Sequence, residues 1–149
     1  MKAWVVISIL WLAAALQAKQ AVDEEDRSRF RAVDIYLDSK GAPLAAYQLE
    51  FSVTNSYARI VGIEGGESAA FRQPPFYDPK AIQHERVIIG AFSTTGATDL
   101  PHGKTRVATI HLESPNGEEL KGELKLHLAA DPEGSKISAE AEFKERKTK

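Results

Sequence analysis

Beyond residue 30 the apolar positions of the chain recur at every second residue, the spacing of strands that bury one face and wet the other. Residues 29–37 read as a first strand with Val33, Ile35 and Leu37 on one face, and residues 39–43 as a turn. Residues 44–54 alternate most clearly: Tyr47, Leu49, Phe51 and Val53 point one way, and Gln48, Glu50, Ser52 and Thr54 the other. After a turn at Asn55-Ser56, residues 58–64 form the next strand, which Gly65-Gly66 ends. Residues 86–93 are dense in Val, Ile and Phe and suit a central strand. Residues 105–113 place Ala108, Ile110 and Leu112 inward, and residues 120–128 place Leu120, Leu124, Leu126 and Leu128 inward. Ile137, Ala139, Ala141 and Phe143 mark a last strand.

Residues 67–85 break the rhythm. Pro74, Pro75 and Pro79 remove ladder donors, which leaves room only for a short edge strand near residues 69–72. Long irregular connections in compact domains are often functional. The bland reading of this one covers an end of the sandwich and tucks Phe76 and Tyr77 into the core. The functional reading presents Phe71, Phe76 and Tyr77 as aromatic anchors. At least seven short strands, separated by turn signals and followed by no helical pattern, give an all-β, two-sheet antiparallel sandwich.

The N-terminus changes the setting. Lys2 precedes an apolar run over residues 3–16, and a small residue, Ala18, closes it. That is the layout of a signal peptide over residues 1–18, and a spanning helix needs about 20 apolar residues. The expected organisation is signal peptide 1–18, acidic leader 19–28, one sandwich domain 29–145 and basic tail 146–149. The expected location is therefore secreted or periplasmic, with no membrane span after removal of the signal. Trp4 and Trp11, the only tryptophans, leave with it. Without cysteines the exported domain has no disulfide and no thiol chemistry, so its core alone must hold it. Loss of Lys2 makes the formal charge of −2 one unit more negative, and a mildly acidic chain of mixed sign does not suit a nucleic-acid partner.

Two stretches sharpen the picture. Ala45-Ala46-Tyr47-Gln48-Leu49-Glu50-Phe51-Ser52-Val53 leads into Ala58-Arg59-Ile60-Val61-Gly62-Ile63-Glu64-Gly65-Gly66. Later, Arg86-Val87-Ile88-Ile89-Gly90-Ala91-Phe92-Ser93 is followed by Gly103-Lys104-Thr105-Arg106-Val107-Ala108-Thr109-Ile110-His111-Leu112. This pattern of strands and glycines resembles a cohesin-type domain over most of the mature chain. One departure is Asn55-Ser56, where that family often has Asp-Pro. The resemblance implies a jelly-roll sandwich, in a superfamily that also holds cellulose-binding modules, and a non-catalytic role in protein–protein contact.

Chemistry offers little against that reading. His111 and His127 face outward on two strands and would take a metal only if those strands were neighbours. Ser93, Asp99 and His102 share one loop without a nucleophile elbow. The expectation is no enzyme, no metal and no cofactor. A protein partner ranks above a polysaccharide, because sugar stacking has only tyrosines to use: Tyr36 and Tyr57 outside and Tyr77 in the irregular loop. The surfaces expected to bind are the loop 71–77 and the outward face of residues 44–54. A third reading, an assembly subunit joined through sheet edges, would need a long, uncharged edge strand.

Overall fold

The computed structural model describes residues 28–54, 57–115 and 119–146. The expected signal peptide, nearly all of the acidic leader, the Asn55-Ser56 and Asn116-Gly117 turns and most of the basic tail lie outside these residues. Eight strands follow in order: β1 (Ser28–Pro43), β2 (Ala46–Val53), β3 (Arg59–Gly65), β4 (Phe76–Tyr77), β5 (Arg86–Phe92), β6 (His102–Pro115), β7 (Gly122–Ala130) and β8 (Glu140–Glu145). They form two antiparallel sheets, ordered β3-β6-β1-β8 (sheet A) and β4-β5-β2-β7 (sheet B). No α-helix occurs among the described residues.

The period-two faces meet as their spacing demands. Val33, Ile35 and Leu37 of β1 and Ile110 and Leu112 of β6 bury against Leu49 and Phe51 of β2 and Val87 and Ile89 of β5. Burying each such side chain contributes about 1.5–3 kcal/mol. The Tyr47 hydroxyl, carried inside with its ring, donates to the Val107 carbonyl at 3.1 Å. That burial pushes its pKa far above the usual phenol range.

Four elements differ from the period-two reading, each because of pairing or packing at long range. The 39–43 turn does not end β1. Lys40 (φ 54°) and Gly41 (φ 91°) make a bulge inside the strand, between the pairs Asp38–Lys104 and Pro43–His102. The Ser39 hydroxyl holds it, donating to Ala42 O at 2.6 Å and accepting from Gly103 N at 2.9 Å. The edge strand expected near 69–72 is a 3₁₀ turn, Ala69–Phe71, that buries Phe71 against Tyr47, ring centroids 5.2 Å apart. Its chain passes so close to β3 that a Cβ on Gly65 would lie 2.1 Å from Arg72 O. The edge strand proper is β4, two residues long. Finally, β7 slips register between its pairs with Leu49 and Gln48, which turns Leu128 outward and Ala129 inward.

Candidate protein-binding face

The outer face of sheet B is built by the residues left over once its inner face is filled. With Val87 and Ile89 inward, β5 points Arg86, Ile88, Gly90 and Phe92 outward; with Tyr47, Leu49 and Phe51 inward, β2 points Ala46, Gln48, Glu50 and Ser52 outward. Register arranges them in rows. Phe76, Gly90, Gln48 and Leu128 lie side by side across the four strands. The next row outward carries Phe92, Ala46 and Ala130, and the rows on the other side carry Ile88, Glu50 and Lys125, then Arg86, Ser52 and Glu123.

This divides the face into two halves. In the apolar half the rings of Phe76 and Phe92 stack in parallel, centroids 6.0 Å apart and planes 10° apart. They remain 71 % and 65 % exposed, with Ile88 and Leu128 exposed nearby. Gly90, between Phe76 and Gln48 in its row, puts no side chain on this face. The ionic half runs across three strands. Arg86 donates to both Glu50 oxygens, at 2.7 and 2.9 Å, and His127 Nε2 lies 3.3 Å from Oε2. The bidentate guanidinium, helped by His127, holds the Glu50 carboxyl down to about 2.

The expected binding residues separate. Phe71 is buried and cannot act as an anchor, a correction that follows from its place under Tyr47. Phe76 is not tucked into the core but lies on the sheet B face, whereas Tyr77, next to it and therefore of opposite parity, packs half-buried on the core. Tyr36 lies on the outer face of the other sheet, beneath the ammonium groups of Lys104 and Lys144, 5.5 and 5.7 Å from its ring. Tyr57 is fully outside, in the β2–β3 connection. The tyrosines therefore share no platform. Phe92, Ile88 and Leu128 escaped the sequence reading. The signal for Phe92 and Ile88 was present in β5, which is apolar at both parities and so carries more hydrophobic side chains than one buried face can take; Leu128 had none, because its turn outward comes from the β7 register slip.

The other chemistries are not assembled. His111 and His127 belong to opposite sheets; His127 Nε2 hydrogen-bonds with Glu50 at 3.3 Å, while His111 Nε2 lies 3.2 Å from Glu64 without hydrogen-bond geometry. Among the described residues no group of three His, Asp or Glu is placed to hold a metal. Ser93 Oγ bonds Thr95 Oγ1 at 2.9 Å, while both ring nitrogens of His102 face carbonyl oxygens, of Gly41 at 3.1 Å and Ala97 at 3.3 Å. A cavity of about 100 Å³ on sheet A is lined by Tyr36, Asp38, Lys104, Glu140, Ala141 and Glu142, whose charged groups pair with one another or with Lys40. No described edge strand is both long and uncharged: Pro75 and Pro79 bracket β4, and β3, β7 and β8 all carry charges. No described helix is long and apolar enough to cross a membrane.

No protein-family description matches the chain, and no curated protein does. Solved structures do. A chain of the type I cohesin–dockerin complex Coh-OlpA-Doc918 from Clostridium thermocellum aligns with TM-score 0.51 at 13 % identity, covering 74 % of this chain and 82 % of its own. One from a complex of a CaDoc0917 variant with CaCohA2 gives 0.54 at 10 % identity, covering 76 % and 83 %. The non-cellulosomal cohesin of the archaeon Archaeoglobus fulgidus gives 0.51 at 9 % identity, covering 75 % of each chain. At such identities the likeness speaks to architecture, and the architecture of this chain is a cohesin-like β-sandwich.

Proposed function

We propose that the protein is an exported, non-catalytic binding module that docks a protein partner on the outer face of sheet B. The observation that carries this reading is the exposed apolar half of that face. Phe76, Phe92 and Ile88 remain exposed about Gly90, and Leu128 is exposed across Gln48 from them, although the core beneath is already closed. Exposed aromatic pairs of this kind, rimmed by charge, mark interaction surfaces, and such anchors dominate interface energetics. The cohesin–dockerin complexes among the structural neighbours support a protein partner over a polysaccharide, as does the scatter of the tyrosines.

The test is affinity capture from envelope and culture fractions, run beside a Phe76→Ala/Phe92→Ala double variant. A specific protein retained by the wild type and lost from the variant is the expected result. Retention of polysaccharide alone, or equal retention of the partner by both proteins, would sink the assignment.

A further inference from the structure

The two sides of the sandwich are closed differently. On one side the connection from Gly66 to Glu85 bridges β3 of sheet A to the sheet B edge, with Gly66 N bonded to Phe71 O and Ile60 N to His84 O. On the other side β7 and β8 are the edge strands of their sheets and run alongside each other. Their inward residues Leu124, Leu126, Ala141 and Phe143 are only partly buried, unlike those of β1, β2 and β6. Here two strand edges lie side by side, β7 being covered by described residues only at its far end, where Ile137 N bonds Ala129 O at 2.9 Å and Lys136 bridges Ala130.

Neither edge is the uncharged strand that open-ended assembly would use; each instead carries a charge pattern that reads as its own complement when turned end for end, which restricts pairing to one register between two copies. About Phe143, β8 has Glu142 and Lys144 at one residue either side, and Glu140 at three residues before it, with Arg146, just past the strand, at three after. About Leu124, β7 has Glu123 and Lys125 at one residue either side. A two-fold axis through each centre sets Glu142 opposite Lys144 and Glu123 opposite Lys125, each pair occurring twice. The pair that gains nothing is Lys121 opposite His127. Side by side, opposite charges stabilise a ladder and like charges oppose it.

Hydrogen-bond parity allows the same centres. In an antiparallel ladder, alternate residues turn their N–H and C=O toward the neighbour and the rest turn away. Arg146 N bonds Ala32 O at 2.7 Å, so the even residues of β8 serve β1 and Ala141, Phe143 and Glu145 face the open edge. Thr54 N bonds Lys121 O at 2.9 Å, so the odd residues at the start of β7 serve β2, and Gly122 and Leu124 face the open edge. Phe143 and Leu124 are thus each placed to exchange bonds with their own copy. They also stand at one level of the sandwich: Leu124 pairs with Phe51, whose ring meets Phe143 edge-on, centroids 5.4 Å apart. One axis serves both strands.

We infer that this chain pairs with a second copy of itself across the β7–β8 side, antiparallel and centred on Leu124 and Phe143, joining each four-stranded sheet to its counterpart. Such a contact is isologous and closes at two copies. It leaves the outer face of sheet B open to a partner and does not depend on the assignment of that face.

Sedimentation equilibrium over a wide concentration range tests the pairing. The wild type is expected to dimerise. Glu123→Lys and Lys125→Glu, each alone, set two like-charge pairs opposite by symmetry and should raise the dimer Kd by about tenfold or more. Mixed in equal amounts, these two variants should form a heterodimer near wild-type affinity. A Glu142→Lys/Lys144→Glu double exchange should restore what either single change loses. A protein monomeric at every attainable concentration would overturn the inference. So would a dimer indifferent to these charges, or one lost only in Phe76→Ala/Phe92→Ala, which would place the contact on the sheet B face.

Discussion

On the outward surface of sheet A, nearly every polar side chain is held by another. Asp34 takes two hydrogen bonds from Arg146, at 2.5 and 3.1 Å, and one from Thr109 at 2.8 Å. Thr109 in turn accepts from Arg106 at 2.7 Å. Glu142 pairs with both Lys104 and Lys144, Lys40 bridges Asp38 and Glu140, and Arg59 meets Glu113. On the outward surface of sheet B, one half holds the Arg86–Glu50–His127 ladder and the other half offers two stacked rings that stay mostly open to solvent. The contrast separates two kinds of surface. A face whose groups satisfy one another contributes to folding, and changes there should be read in stability. A face left apolar contributes to association, and changes there should be read in binding.

The segment between β3 and β5 tests the contrast most strongly, because it sends Phe71 to the inside and Phe76 to the outside. Phe71→Ala removes a ring buried to 2 % exposure and should cost about 3–5 kcal/mol, visible as a lower chemical-denaturation midpoint with an unchanged slope. Phe76→Ala, five residues on, should stay within about 0.5 kcal/mol of the wild type while weakening partner capture. Equal losses of stability at the two positions would erase the distinction between core and face.

Much of this arrangement is legible in the residues, and the rest is not for identifiable reasons. The inward set of β2 follows from its strict alternation, because one continuous ladder holds its parity. Leu128 breaks an equally clear alternation, since the slip that turns it outward arises from pairing with Gln48 on another strand, which local spacing does not contain. Phe71 and Phe76 look alike in a proline-rich loop; only the closure of the sandwich end separates them. Phe92 and Ile88 could have been found by counting, because β5 has more apolar side chains than an inner face accepts. The opposed sheets of His111 and His127 depend on strand order, which no spacing encodes.

A change of intermediate size probes the sheet A network. Burial alone would raise the Asp34 carboxyl, but the hydrogen bonds from Arg146 and Thr109, with the charges of Arg146 and Arg106, more than reverse this and hold it below the ordinary value of 3.8. Asp34→Ala leaves Thr109 and Arg146 without their acceptor, takes a counter-charge from Arg106, and should cost about 1–3 kcal/mol at neutral pH. The pH dependence has a definite sign. A carboxyl whose folded pKa is depressed stabilises fully above its unfolded value and loses that contribution as pH falls through the folded one. The stability gap between wild type and Asp34→Asn should therefore be constant at neutral pH and narrow below about pH 4. A gap that persists undiminished at lower pH would remove the carboxylate charge from the account.

The smallest effect belongs to Glu50, and it separates the faces most finely. The Arg86 hydrogen bonds hold its carboxyl down to about 2, so depth of shift alone would rank it with Asp34. Setting argues otherwise. Both carboxylates have an exposed arginine, but Asp34 is also the acceptor of the fully buried Thr109, whereas Glu50 has only Arg86 and the exposed His127; exposed pairs gain little because solvent and salt screen them while long side chains lose freedom. Glu50→Gln should leave the unfolding midpoint almost unmoved and insensitive to salt. Its consequence should appear with the partner instead. The ionic half borders the apolar one along the row Ile88–Glu50–Lys125, and charges at a rim steer encounter more than they hold the complex. The association rate should change and lose salt dependence, while the dissociation rate, which the proposed anchors Phe76 and Phe92 would set, stays the same. If Glu50→Gln lowers stability as Asp34→Asn does, the ladder is part of the fold, and the boundary between a satisfied face and a binding face lies inside sheet B, between its two halves.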